Sequence, residues 1–251
     1  VRNAEALIEP IEKALLRAKH GLSVFRDGTI RFDMVDITIT HFRPREVGMS
    51  LEQAHELGYL VDSIDEVVEI FPQDVVIPEN CVEDIISVCQ FTDDELKYIY
   101  DLEPYYNVKE GKDLIGQLIM GIAPHTSGAI LGRIIGFTSV KGHYGHPFYH
   151  AAKRRNCDGD IDAIIMLTEG VLNFSRQFLP RSRGGQMDAP LILTMGINPN
   201  EIDKEALNVE TCNSYPVDFY EVTQGHKTED GWKPAGPKDA TAWVETVEAR
   251  L

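Results

Sequence analysis

The chain lacks any apolar stretch long enough to span a bilayer; even runs such as Ile164 to Leu167 are far too short. No charged-then-apolar leader opens it, so membrane and secretory classes are set aside and a cytoplasmic protein is expected. Cysteine is scarce. Cys81, Cys89, Cys157 and Cys212 form no CxxC pair, which excludes a zinc knuckle or dithiol redox motif and fits reduced thiols. Glycine and proline, 20 and 13 of 251 residues, are too few for a collagenous or low-complexity chain, and no internal repeat or heptad run occurs. With 43% hydrophobic and 25% charged residues, the chain is globular and can form one ordinary domain or two small ones. It opens without an initiator Met and stops soon after the Pro/Gly/Lys stretch 233–239, so an excised piece of a larger protein is expected.

Positive charge is also short overall. Lys and Arg number 24 against 40 Asp and Glu, a net of −16 that argues against a general polyanion binder. The distribution along the chain is uneven, however. Between Arg133 and Arg183 eight cations face four anions, a local net of +4. Such a basic stripe in an acidic body can bind phosphate locally while the body stays soluble, and the acidic excess also fits a salt-adapted host.

Local patterns predict a mixed α/β body. Leu7, Ile8, Ile11, Leu15 and Ala18 recur at helical spacing, with Pro10 as the start of the longer helix. Asp27-Gly28 between residues 22–25 and 29–32 predicts a hairpin turn. Ser50-x-x-Gln53, followed by Gly58, reads as a short capped helix. Residues 67–70 and 75–77 read as strands. Residues 81–88, 93–102 (led by Thr92, with Glu95 at the capping-box position) and 112–121 read as helices.

The chemistry concentrates between Gly142 and Leu179, centred on Asn156-Cys157-Asp158-Gly159-Asp160. Two carboxylates separated by one glycine can address one cation if the backbone bends sharply between them. Asp and Asn oxygens are hard ligands suited to Mg²⁺ or Ca²⁺. Lys153-Arg154-Arg155 immediately upstream supplies charge for phosphates. Downstream, Ile161, Ile164, Ile165, Leu172 and Phe178/Leu179 predict a buried helix ending at Pro180, which would hold the acidic loop rigid. Without these neighbours, the bland reading of Asp-Gly-Asp is a helix-capping turn.

Three other motifs weigh less. Asp158, Asp160, Asp162 and Glu169 fall at EF-hand positions 1, 3, 5 and 12, but Ala163 stands where the turn glycine belongs and an Ile-Ile-Met-Leu run follows. His146 and His150 are spaced i, i+4 on a helix expected to begin at Pro147, yet HExxH needs Glu at that position. These histidines and His143 are expected to pack beneath the acidic loop or to touch nucleic acid. Gly121 to Gly128 lacks the lysine of a P-loop and reads as a tight turn. Arg181-Ser-Arg-Gly-Gly-Gln186 is a basic loop compatible with backbone phosphate contacts.

GIAPHTSGAILGRIIGF, GHPFYHAAKRRNCDGD, LPRSRGGQMDAPLILT and LSVFRDGTIRFDMVDITITHFRPREVG together resemble the large, catalytic subunit of the archaeal D-family DNA polymerase (DNA polymerase II), across most of the chain. The resemblance implies a mixed α/β (α+β) fold containing part of a double-psi β-barrel core. Residues 1–110 would form an accessory α/β part and residues 111–251 the barrel region with the DGD loop. It implies Asp158 and Asp160 as catalytic metal ligands with Asn156 beside them. Mg²⁺ (or Mn²⁺) held there would activate the primer 3′-hydroxyl and offset phosphate charge. Lys153, Arg154, Arg155, Arg133, Arg181 and Arg183 are the expected DNA or nucleotide contacts.

The implied partners are primer-template DNA, dNTPs and a small exonuclease subunit, with a sliding clamp reached through regions outside this chain and no membrane. Zinc modules and the other barrel, which should add basic residues to the site, also lie outside it. The family pattern continues DGDED, whereas Ile161 here replaces the first acid after the loop, so that position is expected to face the core. Two other readings compete: a non-catalytic nucleic-acid or subunit-binding module, and an RNA polymerase subunit, separable by sugar selectivity.

Overall fold

The computed structural model describes residues 9–155, 159–202, 217, 226–228 and 231–233. The chain divides into two units, Val1–Ile202 and Asp203–Leu251. Among the described residues, no helix is long and apolar enough to cross a membrane. In the second unit β10 (His226–Thr228) and β11 (Gly231–Lys233) pair antiparallel.

The first unit is built on a closed ring of six strands. These are β1 (Phe32–Thr38), β4 (Asp74–Pro78), β5 (Leu118–Ala123), β6 (Gly128–Thr138), β7 (Gly142–Gly145) and β8 (Ile161–Met166). The order is β4-β7-β1-β8-β5-β6, and a parallel β4–β6 pairing closes the ring. Closure removes the exposed strand edges that an open sheet would present. Strand β9 (Ile192–Thr194) adds to β6 outside the ring, and β2 (His41–Phe42) pairs with β3 (Val68–Glu69) in a small separate ladder. The barrel takes β1 and β4 from before residue 110 and the other four strands from after it. The expected division at 110/111 therefore runs through the barrel.

Helices cover this ring. α1 (Ile11–Lys19) follows Pro10, but Ile11 and Leu15 are exposed while Leu16 packs inward. α2 (Leu51–Leu57) carries the expected capping box, with Ser50 and Gln53 exchanging hydrogen bonds, and ends at Gly58. α3 (Val82–Tyr98) is one helix where two were expected: Thr92 lies in its interior, fully buried, and its hydroxyl donates to the Val88 carbonyl at 2.9 Å instead of capping. α4 (Pro147–Ala152) begins where expected. α5 (Leu167–Asn173) and α6 (Arg183–Gln186) complete the set.

Two expected helices are corrected. Residues 112–121 form a short 3₁₀ turn at Gly111–Leu114 and then strand β5, and residues 161–179 open with strand β8 before α5 begins. Both strands are short apolar segments flanked by pairing partners on each side, β5 between β6 and β8 and β8 between β1 and β5. Burial on both faces erases the alternation that would mark a strand. Their side chains split by period two, Ile164 and Met166 packing with the α3 core, Ala163 and Ile165 with Met120 and Ile122. With Asp162 in a strand, no EF-hand loop forms.

The Asp27-Gly28 turn forms, with the Phe25 amide donating to the Thr29 carbonyl at 2.8 Å. Rather than starting a ladder, it docks on α5, where the Ile30 amide donates to Glu169 at 3.2 Å. Glu169 is fully buried. Burial pushes its carboxyl up to about 8, against the pull of the Ile30 amide, Arg17 and Asn173. The folded chain thus keeps a proton that the unfolded chain releases near 4.5, so this group lowers stability as pH rises from about 5 to 8. Glu169→Gln is expected to flatten that slope and to melt higher than the parent at pH 8. Thermal melts across this window check it, and an unchanged slope contradicts the assignment.

Candidate active site

Helix α4 ends at Ala152 with Lys153 as its C-cap, and the chain returns to the barrel at Ile161, the first residue of β8. The acidic motif therefore lies on the short connection between a helix and a barrel strand. Within it Arg154 adopts a left-handed φ of +57° and Gly159 one of +107°. At Gly159 that conformation costs little, because glycine has no Cβ.

Asp160 is anchored by its backbone, and its side chain is partly exposed. Its carbonyl accepts from the Asp36 amide on β1 at 2.9 Å. Its carboxylate is 38% exposed, so part of it faces solvent, and lies 3.6 Å from the Arg155 guanidinium. Arg155 also donates to the Ile161 carbonyl at 2.8 Å, spanning the base of the loop. Asn156 and Asp158 lie outside the described residues.

Beneath the loop sits a cluster that sequence reasoning does not assemble. Asp36 (β1), His143 (β7) and Asp162 (β8) meet His150 and Lys153 from α4, all with at most 5% of their surface exposed. Lys153 Nζ is bonded to Asp162 and lies 3.3 Å from both Asp36 oxygens and from His143 Nε2. Asp36 also has His143 Nε2 and His150 Nδ1 at 3.3 Å each, while the other His150 nitrogen meets the Ile37 carbonyl at 3.0 Å. The Tyr149 ring lies 4.8 Å from the ammonium.

The electrostatics follow from burial and this one cation. Burial opposes ionisation of Asp36, but the His150 hydrogen bond and the Lys153 charge outweigh it and hold that carboxyl well below its usual range. Burial dominates at Asp162 and pushes it up to about 7 against the pull of Lys153. Burial, then the Lys153 charge, lowers His143 and keeps it neutral; burial also lowers His150.

Asp36, His143 and His150 have ligand atoms close enough together to surround a metal ion. Their chemistry does not fit a resident hard cation. Two are imidazoles, which suit softer ions than Mg²⁺, and the Lys153 ammonium already supplies the positive charge among them. The loop fits better: the Asp160 carboxylate is a hard oxygen donor, partly open, at a glycine bend.

Of the six expected phosphate contacts, Arg155 is engaged at the base of the loop, and the other five separate into three groups. Lys153 faces the buried cluster rather than solvent. Arg133 forks onto Asp74 through two hydrogen bonds of 2.8 and 2.7 Å, and Tyr59 donates to the same carboxylate. Arg154, Arg181 and Arg183 are exposed. The three histidines are buried, which matches packing rather than contact with nucleic acid. The sequence does hold a signal for Lys153: His146, Tyr149, His150 and Lys153 fall at i, i+3, i+4 and i+7, one helical face, and all four are buried. Asp36 offers less, since it is one of two acids in the strand sequence FDMVDIT.

Comparison with known proteins places these residues in a wider context. A family model described as "DNA polymerase II large subunit DP2, catalytic domain" matches residues 1–251. The DNA polymerase II large subunit of Thermoplasma volcanium is 52% identical over 247 residues, covering 98% of this chain and 22% of that protein. That of Thermoplasma acidophilum is 55% identical with the same coverage, and that of Pyrococcus furiosus 48% identical, covering 98% of this chain and 19% of its own. The chain thus spans about a fifth of the length of the curated relatives it matches.

Proposed function

The chain belongs to the catalytic-domain family of the DNA polymerase II large subunit, and from that premise we propose that it carries the nucleotidyl-transfer site of a DNA-directed DNA polymerase. The observation that carries the reading is the placement of Asp160. Its backbone is fixed to the barrel, its carboxylate is partly open, and it sits at the glycine bend of a loop flanked by arginines.

Asp158 and Asp160, with Asn156 beside them, would hold Mg²⁺ or Mn²⁺ through hard oxygen donors. When bound, such an ion supplies Lewis acidity toward a phosphoryl oxygen and the primer hydroxyl. The chain's own residues do the positioning. The Asp36 amide fixes the Asp160 backbone, and Arg155 ties the loop to β8. Exposed Arg154, Arg181 and Arg183 are available to the phosphates of primer-template DNA or an incoming dNTP, contacts that position without reading sequence. Arg133, held by Asp74, is the weakest of the proposed contacts, and the six-strand ring is read as a double-psi barrel on the family resemblance. The relatives' name, large subunit, extends to a smaller partner for this chain as well.

The test is metal removal. The complete large subunit with its partner is expected to lose primer extension on chelation and to regain it with Mg²⁺ or Mn²⁺, while binding to primer-template DNA persists throughout. Extension that survives chelation contradicts the reading. Metal-independent DNA binding with no extension under any condition points to a binding module instead.

A further inference from the structure

We propose that Lys153 is a positioning residue for the acidic loop: its buried contacts with Asp162 and Asp36 close the base of residues 154–161 and set where the loop's carboxylates stand. The inference rests on the polymerase reading of that loop.

The geometry is that of a clasp. Lys153 is the last residue before the loop, and Asp162 is the second residue of the strand that leaves it, so their ion pair joins the two ends directly. Asp36 ties the same ammonium to β1, and the Asp36 amide holds the Asp160 carbonyl, so one residue fixes both the clasp and the backbone of a proposed ligand. Arg155 to the Ile161 carbonyl adds a second rung nearer the surface.

The barrel leaves room for this lysine beside Tyr149. A side chain at Gly121 on β5 would put its Cβ against the Tyr149 hydroxyl and 2.9 Å from Lys153 Cδ, so the glycine makes space for the tyrosine ring and the lysine stem together. Lys153 is fully buried, as are both carboxylates within 5%. Buried ion pairs add little net stability over apolar residues of similar shape, so the role proposed for this one lies in specifying geometry. What it specifies is the return of the chain from a left-handed Arg154 to β8 in one register. A clasp of this kind acts on metal affinity and turnover through the loop, as groups that orient metal ligands do.

The experiment uses the complete large subunit with its partner. Lys153→Met combined with Asp36→Asn and Asp162→Leu removes all three charges together, so none is stranded. Asp160→Ala is run in parallel. Primer extension is measured across a Mg²⁺ titration, with kcat and the dNTP KM separated, alongside DNA affinity and thermal melting. The triple variant is expected to melt close to the parent and bind DNA equally. Its Mg²⁺ midpoint should rise or its kcat fall by about 10- to 100-fold. A folded variant with parental Mg²⁺ midpoint and kcat overturns the clasp.

Should the triple variant fail to fold, Asp162→Asn carries the test, since it keeps the shape and an acceptor for Lys153. A raised Mg²⁺ midpoint supports the proposal, and an unchanged one overturns it. The Asp160→Ala arm separates the two readings. If it abolishes synthesis while the clasp variants do not, only the clasp fails; if it leaves synthesis intact, the polymerase reading of the loop fails.

Discussion

Lys153→Ala is expected to lower folding stability by about 3–5 kcal/mol, because it deletes one ammonium and leaves two carboxylates buried without their cation. The neighbours cannot replace that charge cheaply. Burial, the largest cause, holds His143 and His150 toward the neutral form, and Arg155 in the loop is engaged with Ile161 and Asp160. For a domain of this size the loss corresponds to a melting point lower by roughly 6–20 °C.

The pH dependence has a definite sign. Without Lys153 the cluster loses the charge that pulls both carboxyls down, so the folded state binds protons more tightly than in the parent and recovers stability as pH falls. The deficit against the parent is therefore smaller at pH 5 than at pH 8. Thermal melts of the parent and Lys153→Ala at both values check this. A deficit below about 1 kcal/mol at pH 8, in the range of an ordinary surface pair, would contradict the buried-cluster account.

The short-range features are legible in the sequence because neighbouring residues determine them. The Ser50/Gln53 box, the Gly58 stop, the turn at Asp27-Gly28 and the start of α4 at Pro147 all form as their local patterns dictate. Several misreadings share one physical cause, which is burial on all sides; others are apolar residues that stay exposed, Ile11 and Leu15 on α1 and Ile161, expected to face the core. Thr92 resembles a cap until α3 proves continuous, and its hydroxyl then bonds back within the helix. Leu118–Ala123 and Ile161–Met166 are six-residue segments, mostly apolar but for Asp162, and too short for periodicity to separate a buried strand from a helix.

Ring closure depends on the parallel pairs β1–β7 and β4–β6, whose partners lie far apart in sequence. No local pattern announces them. The same distance hides the cluster. In the sequence Lys153 reads with Arg154 and Arg155 as one basic triplet, but helical geometry turns it to the buried face of α4, while Arg154 stays at the surface. Its partner Asp36 lies 117 residues away.

The central claim is that the loop between α4 and β8 carries the chemistry of DNA synthesis. The measurement that tests it most directly is Mg²⁺-dependent primer extension by the complete large subunit with its partner, comparing the parent with Asp158→Ala and Asp160→Ala and following DNA affinity in parallel. The predicted result is loss of synthesis by orders of magnitude in both variants with DNA affinity retained, the pattern of an interaction made only in the reacting complex. Near-parental synthesis in either variant would contradict the account for that carboxylate, and in both it would leave the loop a structural element of the barrel.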